Sequence, residues 1–210
     1  MSRKFEIKNK GEDKFREENY KYYKLIKDAY NRFDEKDYDA SSMGCDYRFY
    51  NNLIKLILEQ TPKFILEYGS GYTTYLMGHI IKDYKLDTKL LSLENEPKWY
   101  KWMKDENFDI LNSIVLCDLK SWRDGESTFV KYIYDGYNAD DVDFVLLDGP
   151  GHFYLDGETE LVKNGINYNY YELIVDGPRY VLIDGRHDTQ VFYRKIFNDM
   201  GYPNKYIKYG

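Results

Sequence analysis

The segment Phe64-Ile65-Leu66-Glu67-Tyr68-Gly69-Ser70-Gly71-Tyr72-Thr73-Thr74 constrains the fold more than any other part of the chain. A short apolar run ends at Glu67, two glycines one residue apart let the backbone turn tightly and approach a ligand without Cβ interference, and a helix is predicted from Thr73. Strand, bend and helix in that order make a nucleotide site. A dinucleotide fingerprint would place its third glycine where Thr74 stands, and the Glu67 carboxylate beside the bend would repel a pyrophosphate. Both features disfavour an NAD-dependent oxidoreductase. A carboxylate there suits a cationic amino group, or an ordered water that receives one.

After Pro62 short apolar runs alternate with helical stretches, the pattern of a sheet covered by helices. Strands are predicted at 63–66, 89–93, 113–117, 143–147 and 180–183, with helices at 73–84, 97–104 and 189–200. The runs Phe144-Val145-Leu146-Leu147 and Tyr180-Val181-Leu182-Ile183 lack alternation, as parallel strands buried on both faces do. The predicted fold class is α/β, a doubly wound, mostly parallel sheet with helices on both faces. Before Pro62, Phe15, Tyr22, Tyr23, Ile26, Tyr30 and Phe33 recur at helical spacing over 14–33, and a second helix is expected over 47–59 with Asp46 as its N-cap. The expected organisation is an N-terminal helical extension or lid over 1–60 and a Rossmann-like domain over 61–210.

Charge narrows the partners. The chain has 30 basic and 36 acidic residues, a net charge of −6, which makes nucleic acid an unlikely partner. No apolar run approaches the roughly 20 residues needed to span a bilayer. The two cysteines, Cys45 and Cys117, form no disulfide framework, and no N-terminal signal pattern is present, so a cytoplasmic protein with free thiols and no membrane association is expected.

Glu67-x-Gly69-x-Gly71 after the first strand resembles motif I of class I S-adenosylmethionine-dependent methyltransferases. The similarity runs from about Lys63 to the C-terminus, in the order of elements more than in identities. The resemblance implies S-adenosyl-L-methionine as the cofactor, held by Glu67, Gly69, Ser70 and Gly71. It implies that Glu94, which ends the second strand, accepts hydrogen bonds from both ribose hydroxyls, and that Asp118, after the third, caps the adenine edge. In this family the end of strand four lines the space where methyl donor and acceptor meet, which makes Asp148 and His152 the candidate catalytic residues. Asp148 would orient the acceptor or take its proton, and His152, with an ordinary pKa of about 6.5, is the better-matched base if its loop folds over the pocket.

Asp184 ends strand five beside Asp148, an arrangement that resembles the magnesium site of catechol-type O-methyltransferases. Gly185 stands where those enzymes carry an amide ligand, so a divalent metal is possible but disfavoured. Arg186 and His187 are expected to reach the acceptor. No Asp/Asn-Pro-Pro-aromatic run follows strand four and no cysteine follows a proline, which argues against adenine-amino and cytosine-C5 methyltransferases. Glu94-Asn95-Glu96-Pro97-Lys98-Trp99-Tyr100 with Asp148-Gly149-Pro150 is similar to stretches in sugar O-methyltransferases. The implied activity is O-methylation of a small-molecule or carbohydrate acceptor. A non-catalytic adenosyl-binding protein is the alternative. One strand's length remains at 202–209, where the family has a hairpin, so either the sheet is shortened or a partner chain completes it, and an unpaired edge would favour a homodimer.

Overall fold

The computed structural model describes residues 11–34, 46–105, 114–155, 161–163, 165–174 and 180–201. They divide into two compact units: the described residues up to Thr61 together with Gly71–Leu86, and Pro62–Ser70 together with the described residues from Asp87 onward.

The first unit is helical. It contains α1 (Glu12–Glu18), α2 (Tyr20–Asp34), α3 (Tyr47–Gln60) and α4 (Tyr72–Asp83). The single helix expected over 14–33 is two, broken at Asn19, whose backbone leaves the helical region while its side-chain amide donates to Asn51 Oδ1 at 2.9 Å. An Asn that finds a side-chain partner outside its own helix readily ends one. The apolar stripe continues through the break because both pieces bury the same face: Phe15, Tyr22, Ile26 and Tyr30 are all buried. Asp46 caps α3 as expected, its carboxylate accepting the Arg48 N–H at 2.7 Å. Between α2 and α4, Tyr30 stacks on Tyr72 with centroids 5.4 Å apart, Arg32 donates to the Tyr75 hydroxyl at 3.2 Å, and the Tyr22 hydroxyl donates to Asp83 at 3.1 Å.

The second unit is built on a five-stranded, wholly parallel sheet. Its strands are β1 (Phe64–Tyr68), β2 (Lys89–Glu94), β3 (Ile114–Leu116), β6 (Phe144–Leu147) and β10 (Tyr180–Ile183), in the spatial order β10-β6-β1-β2-β3. The chain lays down β1, β2 and β3 in one direction, then returns to the other side of β1 with β6 and β10. This is the doubly wound α/β class, and the reversal falls between β1 and β6. Every residue of β1 and β6 is buried, which is why β6 reads as an unbroken apolar run and β1 as one interrupted only by Glu67. One face carries Phe64, Leu66, Tyr68, Leu91, Leu93, Val145 and Leu147 into a core shared with Leu173 of α6 (Asn169–Leu173) and Tyr193 of α7 (His187–Asp199). Helix α5 (Pro97–Asp105) lies along β2 and β3 and buries Trp99, Trp102 and Met103.

The region between the third and fourth parallel strands holds elements that the apolar pattern did not reveal. A hairpin of β4 (Asp118–Asp124) and β5 (Ser127–Ile133) closes through Gly125-Glu126, with Gly125 at φ +58°, where a tight hairpin turn favours glycine. Beyond β6, β7 (His152–Tyr154) pairs antiparallel with β8 (Leu161–Lys163), and β9 (Ile166–Asn167) adds to β5 in parallel. The strand expected over 202–209 lies outside the described residues.

Candidate functional site

In a doubly wound sheet the strand ends on either side of the reversal diverge, leaving a crevice outside their carboxyl ends. Here that position belongs to β1 and β6. The Tyr68 carbonyl accepts both the Asp148 N–H at 2.9 Å and the Gly149 N–H at 2.5 Å. Gly69 adopts φ +96°, and a Cβ added to it would lie 2.5 Å from Gly149 N and 2.6 Å from Gly149 Cα. The two backbones are therefore in contact at their glycines. The Gly69 N–H donates to the Leu93 carbonyl at 2.8 Å, which ties the same bend to the end of β2.

Ser70 meets Glu94 next. The Glu94 carboxylate, 4% exposed, accepts the Ser70 N–H at 2.8 Å and the Ser70 hydroxyl at 2.7 Å on Oε2, and the Asn95 and Glu96 N–H groups at 2.8 and 2.7 Å on Oε1. Burial pushes its pKa up, against those hydrogen bonds, which favour the ionised form. Glu67 is fully buried and accepts the Ser92 hydroxyl from β2. Gly71 opens the helical unit, its N–H donating to Thr74 Oγ1 at 2.9 Å, and a Cβ there would meet nothing within 4 Å.

Asp148 and Asp184 follow paired strand ends, in register at Leu147 and Ile183. Among the described residues no group of three or more His, Cys, Asp and Glu side chains is arranged to hold a metal ion. The three carbonyls after β6 are all held. The Arg186 guanidinium donates to the carbonyls of Asp148 and Pro150, and the Asn167 amide donates to that of Gly149 at 2.9 Å. Arg186 is thus engaged on the backbone beside Asp148. His152 begins β7; its side chain lies outside the described residues. Asp118 is exposed at the start of β4, where it pairs with Ile133.

Several residues at these strand ends carried no motif. Tyr132, from the unanticipated hairpin, is 1% exposed; its hydroxyl donates to Asn95 Oδ1 at 3.2 Å and lies against Gly149, where a Cβ would collide with it. Burial, then the charge of Glu94, raises its pKa far above that of an ordinary tyrosine, so it stays a neutral donor. Its backbone N–H and carbonyl are both taken by the Asn169 amide, at 2.8 and 2.9 Å, and the Asn169 N–H donates to Asn167 Oδ1 at 3.1 Å. The Asp124-Gly125 turn was the signal that could have found the hairpin, and through it Tyr132. The thiol of Cys117, half-buried and close to Glu94 and Asp118, is pushed up to about 12 by burial and by those charges, which makes it a poor nucleophile.

A parallel sheet in this order, with a positive-φ glycine bend after its first strand and a buried acidic residue ending its second, defines a Rossmann-like, doubly wound α/β architecture. No family model matches the chain. No curated protein matches it either. Among solved structures it is similar to an S-adenosylhomocysteine-bound methyltransferase, PaMTH1, of Podospora anserina, at 16% identity and a TM-score of 0.40 over 59% of this chain and 49% of that one. It is also similar to the O-methyltransferase TomG of Streptomyces achromogenes, involved in tomaymycin synthesis and solved with S-adenosylmethionine, at 15% identity and a TM-score of 0.37 over 60% of this chain and 53% of that one. The chain spans about half the length of each.

Proposed function

We propose that the chain is a class I methyltransferase that takes S-adenosylmethionine at the carboxyl ends of β1 and β2 and methylates an oxygen of a small molecule or sugar. The observation that carries the reading is Glu94: a buried carboxylate at the end of β2, joined through Ser70 to the glycine bend at the reversal point. An ionised carboxylate accepts hydrogen bonds from hydroxyl groups, so this acceptor fits the ribose of an adenosyl ligand. Bound there, S-adenosylmethionine supplies a methyl group made electrophilic by its sulfonium. The chain's own work is placement. Gly69 brings the bend close without a side chain, Glu94 fixes the ribose, and Asp148, on a loop whose three carbonyls are clamped, orients the acceptor hydroxyl and takes its proton. His152, two residues past the clamped Pro150, is the alternative base.

S-adenosylhomocysteine at about 100 times its dissociation constant adds about 2.7 kcal/mol, and for a chain of this length the unfolding midpoint rises by roughly 5–10 °C. NAD leaves it unchanged. Glu94→Ala removes the rise; a rise that survives the substitution means that the ribose sits elsewhere. Turnover of an oxygen acceptor separates the enzyme from a protein that only binds adenosyl ligands. Asp148→Asn lowers kcat by about 100-fold or more while leaving S-adenosylhomocysteine affinity within a factor of about two. Full turnover by that variant sinks the assignment.

Acid should weaken binding through Glu94. Its pKa is higher in the folded protein than in the unfolded chain, so the stability it contributes is present in full below the ordinary carboxyl pKa and is lost as pH rises through the raised value. Ligand hydroxyls need the ionised carboxylate as acceptor. Affinity for S-adenosylhomocysteine therefore falls on acidification at a higher pH than an exposed glutamate would produce, which calorimetric titrations between about pH 7 and about pH 4 would show.

A further inference from the structure

Glu94 has no acceptor capacity to spare. A carboxylate offers about four lone-pair positions. All four are filled by donors of the protein: Ser70 N–H and Ser70 hydroxyl on one oxygen, Asn95 N–H and Glu96 N–H on the other. Three of those donors are backbone groups, fixed by the ends of β1 and β2. The fourth, the Ser70 hydroxyl, sits on a single rotatable bond, and Ser70 is only half-buried. A ligand hydroxyl that is to reach Oε2 has one donor that it can displace without moving the main chain.

We propose that the Ser70 hydroxyl is a built-in stand-in for one ribose hydroxyl, holding Glu94 in its binding orientation until a vicinal-diol ligand displaces it. This rests on the adenosyl reading above and adds to it a determinant of affinity: Ser70 competes with the ligand for Oε2. The bond it gives up on binding is a short, charge-assisted one, 2.7 Å long, of the stronger class of protein hydrogen bonds. The neighbouring Ser70 N–H stays on the same oxygen, so the carboxylate keeps three donors throughout and does not swing away when the hydroxyl turns. Ser70 is thus a positioning residue whose side chain sets the cost of opening the diol site. The backbone on either side sets the site's geometry.

Removing the competitor should tighten binding. The experiment is isothermal titration of wild type and Ser70→Ala with S-adenosylhomocysteine and with its 2′,3′-dideoxy counterpart, which lacks both hydroxyls. The expected result is about threefold to tenfold tighter binding of S-adenosylhomocysteine by Ser70→Ala, with the two proteins binding the dideoxy compound equally. A merely structural role for Ser70 would shift both ligands together, and that outcome overturns the proposal, as does unchanged or weaker binding of S-adenosylhomocysteine by Ser70→Ala. Binding of S-adenosylhomocysteine by wild type that ignores loss of both ribose hydroxyls also overturns it. No binding by wild type at all removes the adenosyl reading itself, and the proposal with it. Unfolding midpoints of both proteins, measured without ligand, establish that the variant is folded in each titration.

Discussion

Gly69→Ala is expected to cost about 2–5 kcal/mol of stability, a large share of the total for a domain as marginally stable as most. Two separate penalties add. At φ +96° an L side chain meets its own backbone, a strain of about 1–2 kcal/mol. The new methyl would also stand 2.5 Å from Gly149 N, 2.6 Å from Gly149 Cα and 3.0 Å from the Asp148 carbonyl carbon. Those are backbone atoms that cannot yield cheaply. Gly149 is held on one side by the Tyr68 carbonyl and on the other by the Asn167 amide. Overpacking against such a fixed wall costs a further ~1–3 kcal/mol. Gly71→Ala is the internal control. Its backbone is extended, with φ 162°, and its Cβ would find nothing within 4 Å, so stability should change by less than about 1 kcal/mol. Urea unfolding of both variants decides the matter, and equal losses would show that the Gly69–Gly149 contact is not what the first glycine is for.

That contrast also shows where reading the sequence succeeded and where it could not. The glycine bend announced a close approach, and the approach is there, but its partner at Gly69 is the chain's own Gly149. Spacing along a sequence does not say which backbone comes near. Phe144–Leu147 was legible because burial on both faces makes it a continuous apolar run, and it falls within the predicted limits. Tyr180–Ile183 was found at its predicted limits too, but it is half-buried throughout rather than buried on both faces, because it is an edge strand of the sheet. The hairpin was illegible to the same criterion. Exposed Lys120 and Arg123 and half-buried Lys131 break the apolar runs that mark the parallel strands. The informative signal there was local, the Asp124-Gly125 turn. Ser70 and Glu94 could be placed at strand ends from the sequence, and they meet. Tyr132, Asn95, Asn167 and Asn169 could not, because their roles arise only after the hairpin and β9 pair.

Asn167→Ala tests whether that hidden layer matters to the site, and its expected cost is about 2–5 kcal/mol. Asn167 is fully buried, and its side chain joins two groups that have nowhere else to turn: its amide donates to the Gly149 carbonyl at 2.9 Å, and its Oδ1 accepts the Asn169 N–H at 3.1 Å. Truncation leaves one buried acceptor and one buried donor unpaired, each costing roughly 1–3 kcal/mol. The same residue's backbone is held independently, its N–H by Thr189 Oγ1 at 3.1 Å and its carbonyl by the Tyr193 hydroxyl at 2.8 Å. β9 should therefore stay in place while the loop after β6 loses its central clamp. Asn167→Asp keeps the acceptor for Asn169 but sets a carboxylate against the Gly149 carbonyl, so it should be at least as damaging. At temperatures where Asn167→Ala remains folded, the reading of Asp148 makes a sharper demand. Glu94 and Ser70 are untouched by the change, so S-adenosylhomocysteine affinity should hold within about threefold while kcat falls by about tenfold or more, because the acceptor-side carboxylate is no longer held in register. Affinity and turnover falling together would mean instead that the network supports the whole strand-end surface and that Asp148 has no special dependence on it.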